Sequence, residues 1–183
     1  MIRVVDYDSD WLVAYNDEAK DVSKAAGNTL VCIHHIGSTS IPGIKAKPII
    51  DILLEVESLD ALDERAMEFE ALGYEVMGEF GIPGRRYYHR DNSSGVRTHQ
   101  IHAFKAGVSD VARHLAFRDY MRSHPIVASQ YGELKARLAK EYSHDMDAYM
   151  DGKDSFVKDQ EKLALQWVKE RLRESTPRPS IDQ

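Results

Sequence analysis

Cysteine is nearly absent: Cys32 is the single one in 183 residues. No intramolecular disulfide can staple the chain, and the expectation is a reducing compartment. Long hydrophobic runs are also missing, and none approaches the roughly 20 apolar residues that span a bilayer. The first residues carry Asp6, Asp8 and Asp10 and no apolar stretch, so neither a signal peptide nor a membrane anchor is expected and the chain reads as cytoplasmic. Positive charge is in deficit. Lys and Arg total 24 against 30 Asp and Glu, a formal charge of −6. General nucleic-acid binding needs a net basic face, which this balance excludes, although a local basic cleft is compatible with it. Two glycine motifs are absent, the GxxxxGK[ST] of a P-loop and the GxGxxG of a dinucleotide fold. There is no internal repeat.

What is present suffices for a core, since 43% of the residues are hydrophobic. Trp11, Tyr15, Ala19, Val22 and Ala26 recur at helical spacing, so a helix is predicted over residues 9–26, with Ser9 as cap and Gly27 as stop. A strand is predicted over 30–36, then a Gly- and Ser-rich loop over 37–47, then a second strand over 49–56 that is apolar on both faces. Ser58 caps a predicted helix ending at Gly73, and 74–80 is predicted as a strand. A hairpin follows, with arms 85–90 and 97–104 around the turn Asp91-Asn92-Ser93-Ser94-Gly95. Beyond Lys105 three helices are predicted, opened by Ser109, by Pro125 and ahead of Phe156. The order predicts an α+β protein: one domain over 1–174, with a sheet core to about residue 105, a helical part over 106–174, and a disordered tail over 175–183.

The segment Gly37-Ser38-Thr39-Ser40 carries the most chemical information. A Gly-Ser turn offers unobstructed N–H groups and hydroxyls to a phosphate. Asp51 follows thirteen residues after Ser38, inside an apolar strand. An ionised carboxylate there needs an ion pair, a hydrogen bond or a metal; Lys45 and Lys47 are the plain alternatives to a metal. Asp51, Leu53 and Glu55 share one strand face, with Glu55 a long reach from Asp51 for joint ligation of one Mg²⁺. On the second hairpin arm, His99 and His102 point to opposite faces, and His102 is the candidate for the cleft, as a metal ligand or proton acceptor. Arg85 and Arg86 alternate in the same way, so at most one faces a given phosphate. One of His34 and His35 lies beside the turn. Arg118, Arg122 and Lys135 are expected to be solvated or snorkelling charges.

The runs His35-Ile36-Gly37-Ser38-Thr39-Ser40-Ile41-Pro42-Gly43 and Lys47-Pro48-Ile49-Ile50-Asp51-Ile52 resemble the GrpB family, as do Phe117-Arg118-Asp119-Tyr120, His124-Pro125 and Tyr131 with Leu134-Lys135. GrpB proteins in turn resemble the polymerase-β-like nucleotidyltransferases, whose pattern is a Gly-Ser pair, a short gap, and acid–apolar–acid on a strand. The resemblance implies a nucleotidyltransferase-like mixed sheet flanked by helices, with a helical C-terminal half. It implies metal-dependent transfer of a nucleotidyl group from a nucleoside triphosphate, or another phosphate-bearing small molecule, to an acceptor. Gly37, Ser38, Thr39 and Ser40 would cradle phosphate, with Lys47, Arg85 and Arg86 beside them. Asp51, His102 and Glu55 would hold Mg²⁺ or another divalent metal, Asp51 and His102 being the catalytic pair. Leu53 departs from the pattern by standing where the second acid belongs. Two alternatives therefore stand beside transfer: a module that holds a nucleotide or CoA-like ligand without turnover, and an interaction domain that uses an exposed face of the helix opened by Pro125.

Overall fold

The computed structural model describes residues 1–175. Helix α1 (Asp10–Ala26) opens the chain. Its cap is not the Ser9 side chain: Asp8 Oδ1 accepts the Asp10 amide at 2.9 Å. Gly27, at φ 66°, ends the helix as expected. Strands β1 (Leu30–Ile36) and β2 (Ile50–Val56) follow, separated by a short 3-10 turn at Ser38–Ser40.

The helix predicted up to Gly73 is two pieces, α2 (Leu59–Asp63) and α3 (Ala66–Ala71). Ser58 caps the first, accepting the Ala61 amide at 3.2 Å. At the break, Arg65 donates from Nε to the Ala25 carbonyl at 2.9 Å and from Nη2 to the Lys24 carbonyl at 3.3 Å. It thereby satisfies the carbonyls that α1 leaves open at its C-terminus. The strand predicted over 74–80 shrinks to β3 (Glu75–Val76). Gly78 and Gly81 have positive φ and Phe80 sits at φ 45°, conformations that a strand does not accommodate. The hairpin is β4 (Arg85–Asp91) and β5 (Arg97–Lys105). Three helices complete the described chain: α4 (Ser109–Ser123), α5 (Pro125–Glu141) and α6 (Met146–Ser175). The expected disordered tail lies, beyond Ser175, outside the described residues.

The five strands form one mixed sheet in the order β1-β2-β5-β4-β3, with β2 and β5 parallel and the other pairs antiparallel. Alternation along β2 divides the molecule into two layers. Ile50, Ile52, Leu54 and Val56 pack with Trp11, Val22 and Ala26 of α1 and with Phe69 and Tyr88. Leu53 faces the other way, against Ile36, Phe104 and Val111, beneath α4. The apolar face of α5 is occupied, because Tyr131 joins Ile41, Ile44 and Met121 while Leu138 joins Ile2 and Tyr149. That burial removes the main reason to read this helix as a partner surface.

Candidate phosphate-binding cleft

Strand registers place the functional side chains in rows across the face that carries Asp51. The first row is Ile36, Asp51, Gln100 and His89; the second is His34, Leu53, His102 and Tyr87; the third is Cys32, Glu55, Phe104 and Arg85. Of these rows, Asp51 and Gln100 of the first line the cleft beside the Gly-Ser turn. This cleft has a volume of about 640 Å³, and its lining includes Gly37, Ser38, Lys47, Asp51, Arg97, Gln100, Tyr131, Lys135, Tyr149 and Lys153.

Gly37 makes the turn and the close approach together. Its φ is 71°, and a Cβ built there would lie 2.9 Å from the Asp51 Cβ and collide with the carboxylate. Ser38 lines the cleft, whereas Thr39 and Ser40 are buried and hold the turn. Thr39 Oγ1 donates to the Ile49 carbonyl at 3.0 Å, and Ser40 Oγ donates to the Gly37 carbonyl at 2.6 Å. His35 Nε2 lies 3.0 Å from Thr39 Oγ1. Since that hydroxyl gives its proton to Ile49, the imidazole is the donor. Burial pushes His35 down to about 4, which keeps it neutral. Helix α4 braces the turn from outside: Arg118 Nη1 donates to the His35 carbonyl at 3.2 Å and Arg122 Nε to the Ser40 carbonyl at 2.9 Å. These two arginines were expected to be solvated or snorkelling; instead they brace the Gly-Ser turn.

Asp51 Oδ1 lies 3.7 Å from His102 Nε2. His99 points away, towards Arg90 and Glu18 on the α1 side, as strand alternation requires. His114 of α4 lies 5.8 Å from the His102 ring, and burial, followed by the Arg113 charge, pushes it down to about 3. His102, the histidine expected in the cleft, approaches Asp51 but does not line the cleft, and the remaining predicted residues do not reach it either. Four residues of strand put Glu55 about 13 Å from Asp51, and its Oε2 is 2.6 Å from His34 Nε2 instead. Arg85 shares Asp51's face but is spent on the Glu79 and Phe80 carbonyls at 3.2 and 2.8 Å. Arg86 lies on the opposite face and grips both Asp63 oxygens at 2.7 and 2.8 Å.

Cations of another origin take their place. Lys135 of α5 and Lys153 of α6 join Lys47 around the cleft. Lys135 Nζ sits 4.4 Å from the Tyr131 ring centroid, while Lys47 and Lys153 sit 5.3 and 5.7 Å from that of Tyr149. Lys135 is 2% exposed, and its Nζ has no hydrogen-bond partner. Burial first, then the Lys153 and Lys47 charges, push it down to about 7. Lys47 and Lys153 are lowered too, both mainly by burial. Arg97 lies past the register shift at Arg90 and Asp91; it pairs with Asp91 and donates to Tyr87 Oη at 3.2 Å. Sequence reasoning missed Arg97 and Lys153 and expected Lys135 to be a solvated or snorkelling charge, whereas it is buried. One signal was there. Tyr131-x-x-x-Lys135 and Tyr149-x-x-x-Lys153 repeat a Tyr–Lys pair at i, i+4 on consecutive helices, the spacing that puts both on one face.

A mixed sheet that presents a Gly-Ser turn and an acid on the next strand defines a nucleotidyltransferase-like fold. Terminal uridylyl transferase 4 from Trypanosoma brucei, solved with bound dUTP, shares it at TM-score 0.50 and 13% identity, over 74% of this chain and 46% of that one. The chain belongs to the GrpB protein family, whose pattern matches residues 1–162. A crystal structure of the conserved protein GrpB from Enterococcus faecalis superposes at TM-score 0.86 with 41% identity, covering 91% of this chain and 99% of that one. UPF0157 protein YqkA of Bacillus subtilis is 39% identical over 93% of this chain and 49% of its own length, so the chain spans about half of that relative. A Mycolicibacterium paratuberculosis protein named dephospho-CoA kinase is 25% identical over 91% of this chain and 47% of that protein. Among the described residues no helix is long and apolar enough to cross a membrane.

Proposed function

We propose that the cleft binds the polyphosphate of a nucleoside triphosphate or a closely related nucleotide ligand. The observation that carries this reading is the convergence of Lys47, Lys135 and Lys153 on the Gly37–Ser38 turn, with Lys135 buried and unpartnered. A buried ammonium with no acceptor costs free energy in the empty protein, and phosphate oxygens relieve that cost. The turn supplies N–H groups and the Ser38 hydroxyl, and the lysines supply neutralising charge. The dUTP of the uridylyl transferase belongs to the same ligand class, and so does the nucleotide chemistry in the name dephospho-CoA kinase.

The donor set suits one Mg²⁺ and not two. Asp51 would hold a single ion, with phosphate oxygens and water as its other ligands, and the ion would neutralise phosphate charge. Leu53, wholly buried among Ile36, Phe104 and Val111, offers nothing to a second. Titration calorimetry of the chain with ATP, UTP and inorganic triphosphate, with and without Mg²⁺, tests the proposal. Saturable binding that weakens in Lys135→Met supports it, and failure of every triphosphate to bind refutes it.

Nucleotidyl transfer is the second reading, favoured by His102 Nε2 at 3.7 Å from Asp51 Oδ1. In it, His102 accepts the proton of an incoming hydroxyl as that oxygen bonds to the α-phosphorus, while the lysines hold the departing pyrophosphate. It requires pyrophosphate release that Asp51→Asn abolishes. Triphosphate binding without release leaves the protein as a binding module.

A further inference from the structure

The third row across the sheet holds a group that the cleft does not use. Cys32, His34 and Glu55 each offer one ligand atom, and the three atoms lie within 4.8 Å of one another. Among the described residues this is the one cluster of its kind. The regular antiparallel register of β1 and β2 creates it. It sets Cys32 opposite Glu55 and His34 opposite Leu53, and strand alternation then raises the thiol, the His34 imidazole and the carboxylate from the same face. His34 Nε2 and Glu55 Oε2 already approach to 2.6 Å, and Cys32 is exposed, which leaves an entry path.

We propose that Cys32, His34 and Glu55 form a binding site for a borderline divalent cation of the zinc type, separate from the phosphate cleft. One sulfur, one imidazole nitrogen and one carboxylate oxygen suit that ion, whereas Mg²⁺ would reject the thiolate. The cation takes the place of the direct contact that now joins His34 Nε2 and Glu55 Oε2. The solvent side leaves a fourth position for water, so the ion is held exchangeably. Four residues of strand separate this site from Asp51 by about 13 Å, and buried Leu53 stands between them.

Co²⁺ is the probe, because thiolate ligation gives it a near-ultraviolet charge-transfer band and low coordination number intensifies its visible bands. The full chain, reduced and freed of metal, is titrated with Co²⁺ and then with Zn²⁺. The expected result is one equivalent of Co²⁺ bound with a charge-transfer band that Zn²⁺ displaces. Cys32→Ser abolishes the band, and His34→Gln and Glu55→Gln each weaken binding by about tenfold or more. Asp51→Asn leaves the spectrum unchanged. Absence of the band in the unaltered chain overturns the proposal, as does a band that survives Cys32→Ser, or one lost in Asp51→Asn and kept in Glu55→Gln. Circular dichroism of each variant establishes that it is folded when titrated, and the titration of the unaltered chain decides the question without any variant.

Discussion

Replacing Lys135 with methionine should make the empty protein more stable and its ligand binding worse. Lys135 is 2% exposed, its ammonium has no hydrogen-bond partner, and burial pushes it down to about 7 from 10.5. At about 1.4 kcal/mol per unit, such a shift is a penalty on the order of 5 kcal/mol on the charged form. Water in the cleft and local relaxation reduce what substitution recovers, so Lys135→Met should gain about 1–3 kcal/mol. Methionine keeps the length of the stem and its packing on Tyr131. The gain should depend on pH in a defined direction. Between about pH 7 and 10.5 the unfolded chain holds the Lys135 proton and the folded chain does not, so this residue makes stability rise with pH across that window. The variant lacks that rise, and its advantage is therefore largest below pH 7. Binding moves the other way: losing one charged hydrogen bond of about 1.5–3 kcal/mol weakens triphosphate affinity by roughly 10- to 100-fold. Urea unfolding at pH 6 and pH 9, paired with calorimetry on inorganic triphosphate, measures both. A variant less stable than the parent at pH 6, or one that binds triphosphate as well as the parent, would refute the reasoning.

Other consequences follow from the same geometry. Triphosphate affinity should fall as pH rises through about 7, because only protonated Lys135 attracts the anion, and the dependence on pH should flatten in Lys135→Met. Asp51→Asn should leave Mg²⁺-free triphosphate binding intact or tighter, since it removes the carboxylate that opposes three lysines, while abolishing any Mg²⁺-linked increase seen by calorimetry. Gly37→Ala should destabilise by about 2–4 kcal/mol, from the positive φ and the collision with Asp51, read as a lower melting temperature together with weakened binding. Glu18→Ala should cost about 2–3 kcal/mol of stability and leave binding unchanged, since Glu18 accepts from Tyr74 and Arg90 at 2.8 and 2.7 Å on the far face of the sheet.

The strands were legible where apolar residues met turn residues sharply. The ends of β1 came straight from the sequence, and those of β2 lay within one residue. The alternation argument also separated His99 from His102 correctly, because side-chain parity on a strand needs no tertiary knowledge. Residues 74–80 misled, since Tyr74, Val76 and Phe80 mimic a strand while Gly78 and Gly81 take positive φ. The Gly-Ser turn and Asp51 were legible as neighbours in the fold, being adjacent strand ends. The cations were not. Whether Lys135 or Lys153 meets the turn depends on how α5 and α6 pack, and whether Arg85 or Arg86 does depends on which partners the fold offers it; a charge count holds neither. Arg86 was drawn off by Asp63, which lies twenty-three residues earlier in the chain. The repeated Tyr–Lys spacing was the one local trace of the lysine cluster.

The lysine-lined cleft in a chain of net charge −6 also has a kinetic consequence. At distances beyond the Debye length of about 8 Å, an approaching polyanion meets a weakly repulsive molecule. Closer in, low-dielectric walls focus the field of the lysines through one opening. Collisions elsewhere on the surface are short-lived, and those at the opening are captured. Raising ionic strength should therefore slow dissociation-independent capture only modestly at first, as it screens the general repulsion along with the local attraction. On the proposed reading, the arrival of a polyanion is governed by where its charge can settle, and the lysine-lined cleft is such a place in an acidic chain.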